Sequence, residues 1–110
     1  MLDEQEFHLK CEDAMTALFK ALAAASDDYD FEADFNNGTL TIEFDEPRAK
    51  FVVSPQTPVR QVWVSAHSRS FKLDWDGARG AFVLAASGQS LAELIAAHVS
   101  EHLGETVSLS

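Results

Sequence analysis

Five carboxylates, Asp27, Asp28, Asp30, Glu32 and Asp34, fall within eight residues and alternate with Tyr29, Phe31, Ala33 and Phe35. Oxygen donors at this density suit hard or borderline cations such as iron, manganese, calcium or magnesium better than zinc or copper. The two-residue period is that of a β-strand, with one face acidic and the other apolar. Successive carboxylates on one strand face stand roughly 6–7 Å apart, too far for one closed coordination shell. The expected metal site is therefore open, hydrated and multi-site, with cross-strand help from Glu43 and Asp45. No twelve-residue loop with a central glycine and a terminal glutamate is present, which disfavours a calcium sensor.

The strand needs a partner, and Asn37-Gly38 is the dipeptide of a two-residue hairpin turn. Such a turn pairs Phe35 with Leu40, Ala33 with Ile42 and Phe31 with Phe44, so the apolar faces coincide. It also sets Glu32 against Glu43 and Asp30 against Asp45. Like charges directly across a ladder are destabilising, and a bound cation or a basic partner would offset the repulsion.

Other chemistry is sparse. The sequence has no nucleophile elbow, no glycine-rich phosphate loop and no thiol matched to a histidine, so an enzyme of standard type is not expected. His98 and His102 share the four-residue helical spacing that can hold a metal, but hydrogen-bonded, partly buried histidines near a helix C-terminus explain them more simply. Cys11 lies in an apolar stripe and is read as a small buried hydrophobe. Gln61 and Trp63 fall on the outer face of a strand, an aromatic anchor with a hydrogen-bonding companion, as protein interfaces favour.

These residues require a definite set of elements. Phe7, Cys11, Met15, Leu18, Leu22 and Ala25 recur at three- and four-residue spacing and predict an amphipathic helix over Asp3 to Ala25. The hairpin follows, then a short strand from Arg48 to Val53, closed by Ser54-Pro55 because proline cannot donate to a ladder. Val59 to Ala66 alternates with Val62 and Val64 inward and Gln61, Trp63 and Ser65 outward. Ser70 to Asp76 alternates with Phe71, Leu73 and Trp75 inward, and Gly77 to Gly80 turns it into Ala81 to Leu84. Ser90 with Glu93 forms a capping box that opens a second helix burying Leu91, Leu94, Ile95, Val99 and Leu103, and Gly104 ends it. The expected class is α+β: a two-layer sandwich with the N- and C-terminal helices on one face of an antiparallel sheet of about six strands.

The 110 residues, 46% apolar, suit a single domain over 1–110 with one core. The net charge of −10 excludes a nucleic-acid footprint. Residues 1–46 hold thirteen acids against Lys10 and Lys20, a net of −11, whereas the remainder is +1. That asymmetry hints at an interaction surface. One cysteine fits a reducing cytosol, the first residues are acidic where a secretion signal is basic, and no apolar run approaches the roughly 20 residues of a membrane span.

The chain resembles the frataxin family in its bacterial, CyaY-type branch. The resemblance rests on Glu6-Phe7-His8, the acidic run with Asn36 to Ile42, Pro58-Val59-Arg60-Gln61-Val62-Trp63-Val64, Ser87-Gly88 and Gly104 to Ser108. It implies weak binding of iron, as Fe²⁺ or Fe³⁺, by surface carboxylates of the first helix and first strand. It also implies docking to the cysteine desulfurase and scaffold of iron–sulfur cluster assembly, a bacterial cytoplasmic location, and a monomer without iron. Asp27, Asp28, Asp30, Glu32 and Asp34 match the strand part of the acidic ridge, and Gln61 with Trp63 matches the partner surface. Where the family carries acids in the last turns of the first helix, this chain has Phe19, Lys20, Ala23 and Ala24, so fewer or weaker iron sites are expected. The leading expectation is an iron-dependent regulator, or iron donor, that is not an enzyme. Its rivals are an acidic interaction module without metal and a weak ferroxidase.

Overall fold

The apolar stripe that begins at Phe7 winds into helix α1 (Glu4–Ala25), started by the Asp3 side chain, which accepts from the Glu6 N–H at 2.8 Å. A computed structural model describes residues 3–45, 48–107 and 109. After α1 come β1 (Phe31–Asn36), β2 (Thr39–Asp45), β3 (Arg48–Gln56), a 3₁₀ turn (Thr57–Val59), β4 (Gln61–Ala66), β5 (Arg69–Asp76), β6 (Ala81–Val83) and α2 (Leu91–Leu103). The six strands form one antiparallel sheet in the order β1-β2-β3-β4-β5-β6. Asn37 and Gly38 both take positive φ, as the two-residue turn requires, and the apolar register Phe35–Leu40, Ala33–Ile42 and Phe31–Phe44 is as expected.

That register continues across the sheet. Ile42 faces Phe51, Val53 faces Val64, Val62 faces Leu73 and Trp75 faces Phe82, so a single face is apolar from edge to edge. Both helices cover it, and their stripes join the sheet residues in one core cluster. Aromatic contacts trace the path of α1: Phe7 meets Phe82 of β6 edge to face at 5.9 Å, and Phe19 meets Phe35 of β1 at 6.0 Å. The helix thus crosses the whole sheet. Helix α2 starts beside β6, where Ser90 bridges Val83, and ends with His102 over Phe44 of β2 at 4.3 Å. Its capping box has both halves, and Gly104 closes it in the left-handed conformation. Beyond α2 the chain folds back, burying Val107 and Leu109.

Two expectations are corrected. β3 does not close at Ser54-Pro55 but runs on to Gln56. Leu40–Val53 is the last pair that β3 makes with β2, so Pro55 lies where β3 is paired on one side only, opposite Val62 of β4, a position that tolerates proline. Asp30 does not pair with Asp45, because β1 begins only at Phe31, and Asp45 instead faces Arg48. Ser108, the last residue of the segment that carries the resemblance, lies outside the described residues.

Candidate functional site

All seven acids singled out in the first hairpin and the turn before it are exposed. Asp27 and Asp28 sit in the turn that leaves α1, their N–H groups bonded to the carbonyls of Ala24 and Ala25. Asp30 follows in a bend, Glu32 and Asp34 lie on the outer face of β1, and Glu43 and Asp45 on that of β2. Glu32 pairs directly with Glu43 as expected. The row does not end there: Lys50 of β3 is the next residue along, with Nζ 4.0 Å from Glu43 Oε1. The protein itself therefore supplies one cation against this pair, through an exposed ion pair that contributes little to stability. Ser26, Glu32, Asp34, Thr41, Glu43 and Lys50 line a shallow polar depression. The hairpin acids do not converge on a point; they form an open row, the geometry expected from strand spacing. At the end of α1, Lys20, Ala23 and Ala24 are exposed and add no carboxylate to it.

Farther across the outer face, alternation puts Gln61 and Trp63 opposite the buried Val62 and Val64. Both are half-buried. The Trp63 indole N–H donates to Gln61 Oε1 at 3.0 Å, and the Gln61 amide donates to Asp74 Oδ1 at 3.1 Å. The cross-strand neighbour Lys72 places Nζ 5.0 Å from the Trp63 ring centre. The indole is thus held rigidly, its polar edge spent within the sheet and its ring beside a movable lysine. Its remaining surface is apolar, which suits an anchor whose ordering cost is already met.

A third constellation, which sequence spacing did not reveal, lies at the other end of the covered face. The β4–β5 connection is the two-residue turn His67-Ser68, both at positive φ, and it carries the His67 ring over α2. There His67 Nε2 lies 3.2 Å from His102 Nδ1, with the rings stacked at 5.4 Å, and the His98 ring is 5.7 Å from that of His67. Phe51, Phe71 and Phe44 wall the group on the sheet side. His98 is 7% exposed, and its Nδ1 has no hydrogen-bond partner among the described residues. Burial chiefly, with a smaller contribution from His67, holds its pKa below the ordinary histidine value. The pair His98 and His102 was visible as a helical spacing. His67, 31 positions earlier, joins them only through the strand topology.

Cys11 is buried in the core stripe, as expected, and burial pushes its thiol pKa up to about 12. No described helix is long and apolar enough to cross a membrane.

A family model described as a frataxin-like domain matches residues 1–105. The iron-sulfur cluster assembly protein CyaY of Azotobacter vinelandii is 36% identical over 106 residues, which cover 94% of this chain and 92% of that protein. The protein of the same name from Pseudomonas aeruginosa is 35% identical, over 96% of this chain and 95% of its own. Among solved structures, frataxin from Psychromonas ingrahamii superposes with a TM-score of 0.85 at 22% identity, covering 99% of both chains. Yeast frataxin superposes at 0.72 and 19% identity, over 91% of this chain and 82% of its own. The structural likenesses establish the arrangement of two helices on a six-stranded open sheet, and the near-complete family match with relatives above 30% identity establishes descent: the chain belongs to the frataxin family.

Proposed function

We propose that this protein is an iron-binding regulator of iron–sulfur cluster assembly and not an enzyme, working in the bacterial cytoplasm. Its relatives in Azotobacter and Pseudomonas bear the name of iron-sulfur cluster assembly proteins, which supports the process. The observation that carries the reading is the exposure of Asp27, Asp28, Asp30, Glu32, Asp34, Glu43 and Asp45 on one hairpin and its entry turn. An open row of hydrated carboxylates takes up Fe²⁺ or Fe³⁺ weakly and releases it readily, so its occupancy follows the free iron concentration. The same acids steer the protein toward a basic surface of a cysteine desulfurase and its scaffold, while Trp63, with Gln61 behind it, packs on the partner. Iron bound on the hairpin then changes the charge that the partner meets, and this links iron supply to docking.

The test is an anaerobic Fe²⁺ titration of isotope-labelled protein followed through its amide signals. Selective broadening from Asp27 to Asp34 is the expected result. A second reading, an acidic interaction module with no physiological metal, is favoured by the Lys50–Glu43 contact and by the carboxylate-free end of α1. A titration that leaves those signals sharp, with desulfurase binding intact, would replace the first reading by the second.

A further inference from the structure

The histidine group at the end of α2 lies apart from the acidic hairpin and from Trp63, and neither needs it. Among the described residues, the metal-ligating atoms that gather within 4.8 Å of one another belong to His67, His98 and Glu101. A single tetrahedral ion with bonds of about 2.0–2.1 Å sets its ligand atoms roughly 3.3–3.5 Å apart. The three groups therefore need to close by no more than about 1.5 Å. Glu101, exposed on the helix surface, can supply that closure by rotating about its own bonds, and His67, exposed on its turn, would exchange its 3.2 Å contact with His102 for the ion. His98 is the fixed member, buried, with no hydrogen-bond partner for its Nδ1 among the described residues. A buried polar nitrogen without a partner carries a desolvation penalty, and a bound ion is one of the few things that removes it.

We propose that His67, His98 and Glu101 form a second metal site, one that takes a borderline divalent transition ion such as Zn²⁺. Two imidazoles with one carboxylate suit borderline divalent transition ions, Zn²⁺ and Fe²⁺ among them, whereas Ca²⁺ and Mg²⁺ favour oxygen alone. Arg69 is near enough for its charge to be felt at His98, and it opposes the negative charge of Glu101. The two sites of the molecule differ in donor type: oxygen alone on the hairpin, two nitrogens and one oxygen beneath the β4–β5 turn. Three protein ligands leave one coordination position for water, and Phe51 and Phe71 shield the buried side.

The experiment is calorimetric titration of the full chain with Zn²⁺ alone, in a buffer that does not bind metals. One Zn²⁺ per chain is expected at the tighter site. His67→Asn, chosen because asparagine tolerates positive φ, and Glu101→Gln, on the helix surface, should each weaken this binding at least tenfold. The triple variant Asp28→Asn, Asp30→Asn, Glu32→Gln should retain it. Undiminished binding in His67→Asn, or loss of binding in the hairpin variant, overturns the proposal. Imidazole ¹⁵N signals of the unmutated protein give a reading that no folding defect can confuse. Zn²⁺ should shift those of His98 and His67, and unchanged signals refute the site.

Discussion

Cys11 and His98 are both buried among apolar side chains, and burial acts on each by favouring the neutral form. For the thiol this gives a testable consequence. Its pKa is about 12 in the folded chain against 9.0 for the unperturbed group, so the folded state holds the proton that the unfolded state releases. The stabilisation is complete below about pH 9 and is lost progressively as pH rises toward 12. Urea unfolding of the parent and of Cys11→Ala, at pH 8 and again at about pH 10.5, should show a steeper loss of stability in the parent. A disulfide reagent should also leave Cys11 untouched at pH 8 until urea is added. Equal pH slopes, or fast native-state labelling, would mean that the thiol is open to solvent. This role was readable from spacing, because burial in a helix stripe depends on local periodicity. The place of His67 was not: its neighbours are set by which strands pair, and nothing in its own segment marks it.

At the scale of elements, the hairpin shows how far a register argument reaches. Turn chemistry at Asn37-Gly38 and the alternation on both sides fix the pairing residue by residue, and the Glu32–Glu43 clash follows from it. Two features lay beyond that argument. Where β1 begins depends on how α1 ends, which removed the Asp30–Asp45 pair; and what lies beside β2 depends on β3, which placed Lys50 against Glu43. A mutation separates the repulsion from its internal compensation. Glu32→Gln should stabilise the protein by roughly 0.2–1 kcal/mol at low salt, because it removes one of two like charges while leaving the Glu43–Lys50 contact in place. The gain should fade at high salt as screening weakens the repulsion. Thermal unfolding in dilute buffer and at about 1 M NaCl measures both. A destabilised variant at low salt would mean that Glu32 makes a favourable contact that the unpaired-acid reading omits.

For the whole molecule, periodicity foretold two helices on one face of a six-stranded sheet, since every element announces its buried side. The last residues announce less: Thr106 to Ser110 alternate polar and apolar over too few positions to mark an element, yet Val107 and Leu109 are 4% and 8% exposed. Leu109 lines a groove with Ala14 and Leu18 of α1 and Leu91 of α2, so the tail closes the seam between the helices. Ser100 Oγ accepts from the Val107 N–H at 2.8 Å, and the Tyr29 hydroxyl donates to the Thr106 carbonyl at 3.2 Å. Ending the chain after Glu105 removes two apolar side chains worth about 1.5–3 kcal/mol each and uncovers core on their other side. Release of the tail returns some backbone entropy, but the uncovered core should leave the truncated protein less stable than the parent in urea unfolding. Because Tyr29 lies between Asp28 and Asp30, the same truncation should loosen the acidic turn. Hydrogen exchange at Asp28 to Phe31 should accelerate more than at the β3–β4 centre, whereas uniform acceleration would mean that the tail stabilises the fold without anchoring the turn.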